Sequence, residues 1–204
     1  AARARALGKP VAALRVGRSA SARRATLSHS ASLTGGDAAA RAFFARLGVP
    51  LLHSLPELLE TLKLLHVHGS LPGTRLAAMS CSGGEASLLA DTAEGRAVCF
   101  PPLPEPTRAR LAAALGPAVH LANPLDYHTY VWGDAEAMRE TFAAILASGA
   151  DLGLLVLDFP RTDRCSDAAW ECAVEAIRAA ARETGAPAAV VATLPEGMPE
   201  ARAD

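Results

Sequence analysis

The stretch RLAAMSCSGGEASLLADTAEG, residues 75–95, passes from one type of secondary structure to another within a few residues. RLAAMS (75–80) is a short apolar run that predicts a buried strand, and SGG (82–84) predicts a turn. EASLLADTAE (85–94) predicts a helix that ends at Gly95. Because a strand that leads through a glycine turn into a helix is the repeating element of α/β proteins, this stretch predicts an α/β fold.

The same alternation continues after residue 95. The predicted strands are AVCF (97–100), the short extended segment AVHLANPLD (118–126), LGLLVLD (152–158) and AAVVAT (188–193). The predicted helices are 105–115, one capped by Asp134 and one from Asp167 to Thr184. The apolar residues expected on their inner faces are Met138, Phe142, Ile145 and Leu146 in the second helix and Trp170, Val174 and Ile177 in the third. Strands that alternate with helices of this length indicate a parallel sheet with helices on both faces.

Residues 1–70 show the same pattern in a shorter form. VAALRV (11–16) and VPLLH (49–53) predict strands, and helices are predicted over 37–47 and from Ser54 to near His66. The sequence HGSLPGT (68–74) is typical of a linker. We therefore predict two doubly wound parallel-sheet units, 1–70 and 71–204. The first is expected to be incomplete, because two strands and two helices are too few to close such a sheet.

Composition excludes several classes of function. Net charge is −1, from 20 basic and 21 acidic residues, which gives no electrostatic reason to expect a nucleic acid or an anionic membrane as partner. No apolar run approaches the roughly 18 residues of a membrane helix. The 4 cysteines lack CxxC spacing, so we expect reduced thiols and a cytoplasmic protein, and the 6 histidines lack metal-ligand spacing. Abundant alanine and arginine suggest a GC-rich bacterial genome.

His29 lies in the polar stretch TLSHSASLTGGD (26–37), outside any periodic apolar pattern. One interpretation is an exposed loop histidine without a function. The other is a nucleophile, because neutral imidazole can attack a phosphoryl group or an acyl phosphate. A phosphohistidine would need N–H donors around its oxygens. The stretch alone leaves both interpretations open.

Two other stretches carry candidate site residues. The SGG turn could offer backbone N–H groups to a phosphate at a helix N-terminus, but any turn between a strand and a helix can use glycine, and neither GxGxxG nor GxxxxGK occurs. ANPLDYHTYVWGD (122–134) is rich in polar and aromatic residues, so it is either a structured loop or part of a site. No GxSxG motif supports a serine hydrolase.

Three motifs together carry a resemblance to a known family. KPVAALRVGRSASARRATLSHSASLTGGDAA (9–39) resembles the second domain of NDP-forming acyl-CoA synthetases, the superfamily of ADP-forming acetate–CoA ligase and succinyl-CoA ligase. That family has S-H-T-G-x-L-A-G, and this chain departs from it at Ala31 and Thr34 but keeps the histidine. MSCSGGEASLLAD (79–91) resembles the family's strand, N-G-G-G and helix, and residues 123–126 match its N-P-x-D element.

The resemblance implies two flavodoxin-like, succinyl-CoA ligase-like units and a set of site residues. It makes His29 the catalytic residue that carries the phosphoryl group. The other implied roles are phosphate binding by Ser82, Gly83 and Gly84, loop support by Ser28 and Ser30, and possible substrate contacts by Asn123 and Asp126. No metal ligand is implied. Glu85 stands where the family usually has a small residue or proline, and a carboxylate beside a phosphate is unfavourable unless it points away.

The resemblance also implies partners and cofactors. The complete enzyme converts a carboxylic acid, ATP and CoA to acyl-CoA, ADP and phosphate with Mg²⁺, and it needs a CoA-binding Rossmann domain and an ATP-grasp domain, in the same chain or in a partner subunit of a homo- or hetero-oligomer. We therefore expect this chain to be a middle part of that enzyme, inactive by itself and without a tightly bound cofactor. The alternative is a non-catalytic relative, either a regulatory protein that binds CoA or acyl-CoA or a scaffold.

Overall fold

The chain folds as two compact units, Ala1–Ser70 and Leu71–Asp204, in a computed structural model that describes residues 1–22, 24 and 36–202. The division falls inside the stretch that the sequence identifies as a linker. None of the helices in the described part of the chain combines the length and the apolar character that crossing a membrane requires.

The first unit contains a small parallel sheet with helices around it. In chain order it includes α1 (Ala2–Ala6), β1 (Ala13–Leu14), α2 (Asp37–Leu47), β2 (Leu51–Leu52) and α3 (Leu55–His68). In the sheet, Ala13 lies opposite Leu51 and Leu14 opposite Leu52. Both strands are shorter than predicted, because only these two residue pairs are in register.

Local sequence signals set the helix boundaries in this unit. Gly48 adopts the left-handed conformation, φ 63°, and ends α2 as predicted. Ser54 caps α3 by accepting the amide of Glu57 at 3.2 Å, while the Glu57 carboxylate accepts the amide of His53 at 2.6 Å. The helix continues to His68 rather than ending near His66, because Gly69 is the first residue that stops it.

The second unit is a larger α/β layer structure. Its elements in chain order are β3 (Leu76–Ser80), α4 (Gly83–Ala93), α5 (Glu105–Leu115), β4 (Leu125–Asp126), α6 (Ala135–Leu146), β5 (Leu152–Val156), α7 (Glu171–Thr184) and β6 (Ala188–Val191). Short 3₁₀ turns occupy Ala168–Trp170, Pro195–Gly197 and Glu200–Arg202. The first of these takes up the start of the helix that the sequence predicts from Asp167.

All four strands of this sheet are parallel, in the spatial order β4-β3-β5-β6. Counted within the unit, the order is 2-1-3-4, which is the flavodoxin-like arrangement. This confirms the predicted α/β fold with a doubly wound parallel sheet. The chain leaves β3 in one direction to form β4 and crosses to the other side to form β5, so the topological switch point lies between β3 and β5.

One predicted strand is wrong. AVCF (97–100) contributes only a single parallel bridge between Arg75 and Cys99. The ladder stops there because two prolines follow at residues 101–102, and proline has no N–H to donate. The Asn123 side-chain amide also donates to the Pro101 carbonyl at 2.9 Å, so this carbonyl bonds to a side chain instead of to a neighbouring strand.

The core of the second unit forms around β3, β5, α6 and α7. The predicted inner face of α6 is confirmed, because Met138, Phe142 and Ile145 are fully buried. On α7, Val174 and Ile177 also point inward as predicted. Trp170, predicted to lie on the same inner face, packs against this core but is only partly buried, and it also lines a pocket.

Candidate functional site

The carboxyl ends of β3 and β5 form the candidate site of the second unit. Ser80 is the last residue of β3 and Val156 the last of β5. In open parallel sheets, ligands bind at this end of the strands and at the switch point. A pocket of about 400 Å³ opens there, lined by Cys81, Glu85, Thr129, Trp132, Val156, Leu157, Asp158 and Trp170.

Helix α4 begins directly at this edge. Ser82 is its N-cap, and the Ser82 hydroxyl accepts the amide of Glu85 at 3.4 Å while its carbonyl accepts the amide of Ala86 at 3.0 Å. Gly83 and Gly84 are exposed, and within the described residues their amides donate to no acceptor. The N-terminus of this 11-residue helix therefore presents two available N–H groups, reinforced by the helix dipole.

The Glu85 carboxylate is held away from those amides by a serine. The amide of Ser82 donates to the Ser80 hydroxyl at 2.9 Å, and this hydroxyl in turn donates to Glu85 Oε2 in a short hydrogen bond. Ser80 is completely buried. The SGGE sequence thus forms a capping box in which a buried hydroxyl stands between the helix cap and its glutamate.

Asp126 lies against the start of α4. It pairs with Ser80 in the sheet, and its Oδ2 lies 3.0 Å from the position that a Cβ would occupy on Gly83. Asp126 Oδ1 accepts the amide of His128 at 3.0 Å, and His128 has a positive φ of 58°. The structure therefore brings the predicted phosphate-binding residues Ser82, Gly83 and Gly84 together with Asp126.

Asn123 lies away from the helix start. Its Oδ1 accepts the amide of Ala78 at 3.0 Å, and its Nδ2 donates to the carbonyls of Leu76 and Pro101, each at 2.9 Å. These bonds tie backbone segments of the sheet together. Both polar atoms of the Asn123 side chain bond to the backbone, so the geometry gives no support to its predicted substrate contact.

The predicted histidine loop lies outside the described residues. His29, Ser28 and Ser30 all fall within residues 25–35, and their predicted roles stay predictions. Among the residues whose structure is described, no group of three or more His, Cys, Asp or Glu side chains could hold a metal ion.

Several pocket residues were not predicted as site residues. Trp132 and Trp170 pack edge to face, with ring centres 5.8 Å apart. The aromatic stretch 122–134 was a signal for Trp132, but no sequence signal brings Trp170 or Asp158 to the same place. Their meeting depends on β5 lying next to β3, which is a property of the sheet order.

The half-buried Cys81 thiol, which lines the pocket, and the buried Tyr127 hydroxyl are both favoured in their neutral forms. Burial raises the pKa of the Cys81 thiol, and the nearby Glu85 carboxylate raises it further. Burial also raises the pKa of Tyr127, and the neighbouring Cys81 raises it further. Cys81 therefore adds no charge to the pocket wall.

Comparisons with known proteins agree with this fold. Residues 1–65 match the family model described as succinyl-CoA ligase like flavodoxin domain. The chain is 35% identical to acetate–CoA ligase [ADP-forming] II subunit alpha of Pyrococcus furiosus. The matched stretch has 119 residues, which is 58% of this chain. It is 29% identical over 144 residues, 71% of its length, to a trans-feruloyl-CoA synthase from an unknown prokaryotic organism.

A solved structure shows the same fold over most of the chain. It is a dinucleotide-forming acetyl-coenzyme A synthetase 1 from Ca. Korarchaeum cryptofilum, in complex with phosphate and ADP, with a TM-score of 0.76 over 93% of this chain and 22% identity. The chain spans only 26% and 20% of the two curated relatives and 40% of the solved chain. The resemblance found in the sequence is confirmed: residues 1–65 match the succinyl-CoA ligase like flavodoxin domain, and the chain is similar to named ADP-forming acetate–CoA ligases.

Proposed function

We propose that the chain is part of an NDP-forming acyl-CoA synthetase that makes an acyl-CoA from a carboxylic acid, ATP and CoA. The observation that carries the proposal is the pair of available amides, Gly83 and Gly84, at the start of α4 beside the carboxyl end of β3. The relatives named as ADP-forming acetate–CoA ligases support the same reaction class. CoA-binding and ATP-grasp domains, in this chain or in partner subunits, would supply the CoA and Mg²⁺–nucleotide sites of a cytoplasmic bacterial enzyme.

The reaction follows from nucleophilic catalysis by His29. An imidazole nitrogen attacks the γ-phosphorus of ATP, the bond to the bridging oxygen breaks, and ADP leaves. The substrate carboxylate then takes the phosphoryl group from the histidine and becomes an acyl phosphate. The thiolate of CoA attacks the acyl carbon, a C–S bond replaces the C–O bond, and inorganic phosphate leaves with both electrons of that bond.

The amides of Gly83 and Gly84 would bind the phosphoryl oxygens during these transfers. Backbone N–H groups at a helix N-terminus are preorganised and need no rearrangement as negative charge develops. Asp126 limits this site on one side, since its carboxylate occupies the space next to Gly83. The Glu85 carboxylate interferes less, because the buried Ser80 hydroxyl holds it.

Phosphohistidine formation in the full-length protein tests the proposal. We would incubate the protein with γ-labelled ATP and Mg²⁺ and ask whether the label is acid-labile and base-stable. We expect His29→Ala to abolish the label and His66→Ala, a change at an exposed histidine of α3, to retain it. Normal labelling of His29→Ala would refute the assignment.

A second candidate is the non-catalytic relative that binds CoA or acyl-CoA. Ala31 and Thr34, which depart from the family's histidine motif, and Glu85 in the first turn of α4 favour it. It predicts that the full-length protein binds acyl-CoA but forms no phosphohistidine. The labelling experiment therefore separates the two candidates.

A further inference from the structure

The pocket at the switch point has features that the phosphoryl site does not use. It contains two tryptophans and two carboxylates, and no basic side chain lines it among the described residues. We propose that this pocket binds a neutral aromatic ring that carries a hydroxyl group. On the proposed function, which this second step presupposes, the ring belongs to the carboxylic acid that is activated.

The two indoles give the pocket fixed aromatic walls. Trp132 Nε1 donates to the carbonyl of Ala169 at 3.1 Å, and Trp170 Nε1 donates to the carbonyl of Asp158 at 2.9 Å. Both N–H groups are therefore used by the backbone, and a ligand meets the carbon surfaces of the rings. An aromatic ligand can stack on these surfaces or pack edge to face against them.

The charges in the pocket select against an anion. Glu85 and Asp158 both line it, so a carboxylate or phosphate would meet two like charges without a counter-ion. Asp158 is already occupied, because its two oxygens accept the amide of Thr193 at 2.7 Å and the Thr193 hydroxyl. Glu85 Oε2 accepts the Ser80 hydroxyl, and no donor in the described residues reaches Glu85 Oε1.

One available acceptor in an aromatic pocket matches a ring with one hydroxyl donor. A quaternary cation would also be attracted by the indoles and carboxylates, but it has no donor for the available Glu85 oxygen, so its binding is an outcome that the test below separates. The pocket volume of about 400 Å³ is in the usual range of about 300–1,000 Å³ for small-molecule sites. Cys81 and Glu85 also flank Ser82–Gly84 in the sequence, so a ring held here leaves its side chain close to the start of α4.

Tryptophan fluorescence offers a direct test, because the chain contains 2 tryptophans and both line this pocket. We would titrate the chain with three neutral amides: para-hydroxyphenylpropionamide, phenylpropionamide and propionamide. We expect the two aromatic amides to change the emission, with the hydroxylated one binding about tenfold more tightly because its hydroxyl reaches a charged acceptor. Propionamide should not bind.

The variant Glu85→Gln should remove most of the preference for the hydroxylated amide and leave phenylpropionamide binding unchanged. Glu94→Gln, at the exposed end of α4, is the matched control and should behave as the unmodified chain. If Glu85→Gln fails to fold, Trp132→Phe keeps Trp170 as the reporter and should weaken the binding of both aromatic amides.

Three results would overturn the proposal: equal binding of all three amides, tighter binding of tetramethylammonium than of the hydroxylated amide, or no change in emission with any amide. The outcome is independent of the labelling experiment. Ring binding without phosphohistidine would leave the pocket assignment and refute the proposed function. Phosphohistidine formation without ring binding would support the proposed function and refute the pocket assignment.

Discussion

The buried hydroxyl of Ser80 donates to the carboxylate of Glu85 and accepts the amide of Ser82. This arrangement explains how a carboxylate can occupy the first turn of a helix that has two exposed amides at its start. The glutamate is bound to the end of β3, and the glycine amides stay available. The same serine thus stabilises the helix start and fixes one wall of the aromatic pocket.

The change Ser80→Ala should destabilise the second unit. Removing this fully buried hydroxyl leaves the half-buried Glu85 carboxylate without its donor and the Ser82 amide without its acceptor, which costs about 1–3 kcal/mol of the free energy of unfolding. Urea denaturation of the chain measures this loss in the free energy of unfolding. Ser87→Ala, at an exposed position of α4, is the control and should change the free energy of unfolding by less than about 0.5 kcal/mol. Equal effects would show that the Ser80 hydroxyl has no special role.

The close approach of Asp126 to Gly83 predicts different responses at the two glycines. A Cβ on Gly83 would lie 3.0 Å from Asp126 Oδ2, whereas a Cβ on Gly84 would meet the Ser82 hydroxyl at an ordinary 3.6 Å. We expect Gly84→Ala to be neutral or stabilising, because alanine favours the helix. Gly83→Ala should be destabilising, and the loss should disappear when Asp126→Ala is also present, as a double-mutant cycle in urea would show. An equal loss with and without Asp126 would contradict the predicted contact.

Asn123 should prove to be a structural residue. Its amide makes three hydrogen bonds with the backbone at Leu76, Ala78 and Pro101. Asn123→Ala leaves all three groups unsatisfied, so we expect a loss of about 2 kcal/mol or more in the free energy of unfolding. Asn123→Asp should not restore stability, because a carboxylate cannot donate to two carbonyls. If Asn123→Ala is as stable as the unmodified protein but has lost activity toward the carboxylic acid substrate, this would instead support the predicted substrate contact.

The helices of this chain could be predicted from the sequence more completely than the strands and the pocket. Three helices end directly before a glycine, at Gly48, Gly116 and Gly185, so a single residue next to each helix indicates its boundary. Whether AVCF forms a strand depends on competition for the carbonyl of Pro101, and the partner in that competition lies 22 residues away. Likewise, Trp170 meets Trp132 because of the strand order, which local sequence does not specify.

Asp151 should make stability depend on acidity. Its hydrogen bonds with Arg75 lower its pKa below the ordinary value of 3.8. Because the folded state binds the proton less readily than the unfolded state, this stabilisation is complete above the ordinary pKa and is lost as pH falls through the lowered one. Asp151→Asn should therefore destabilise the chain near neutral pH, and the difference from the unmodified protein should shrink below about pH 4. Asp163→Asn, at an exposed residue, is the control. Parallel pH profiles for Asp151→Asn and the unmodified chain would contradict the assignment.

The role of the Gly83 amide can be isolated by comparing two substitutions that add the same Cβ. Gly83→Ala keeps the N–H group and Gly83→Pro removes it. Proline is suited to this position, because it is the first residue of α4 and Ser82 before it is extended, with φ −128° and ψ 121°. Both variants should therefore have similar stability in urea. If the amide binds the phosphoryl group, phosphohistidine formation in the full-length protein should be about a hundredfold slower in Gly83→Pro than in Gly83→Ala. Equal rates in two folded variants would show that this amide takes no part in phosphoryl transfer, whatever the role of His29.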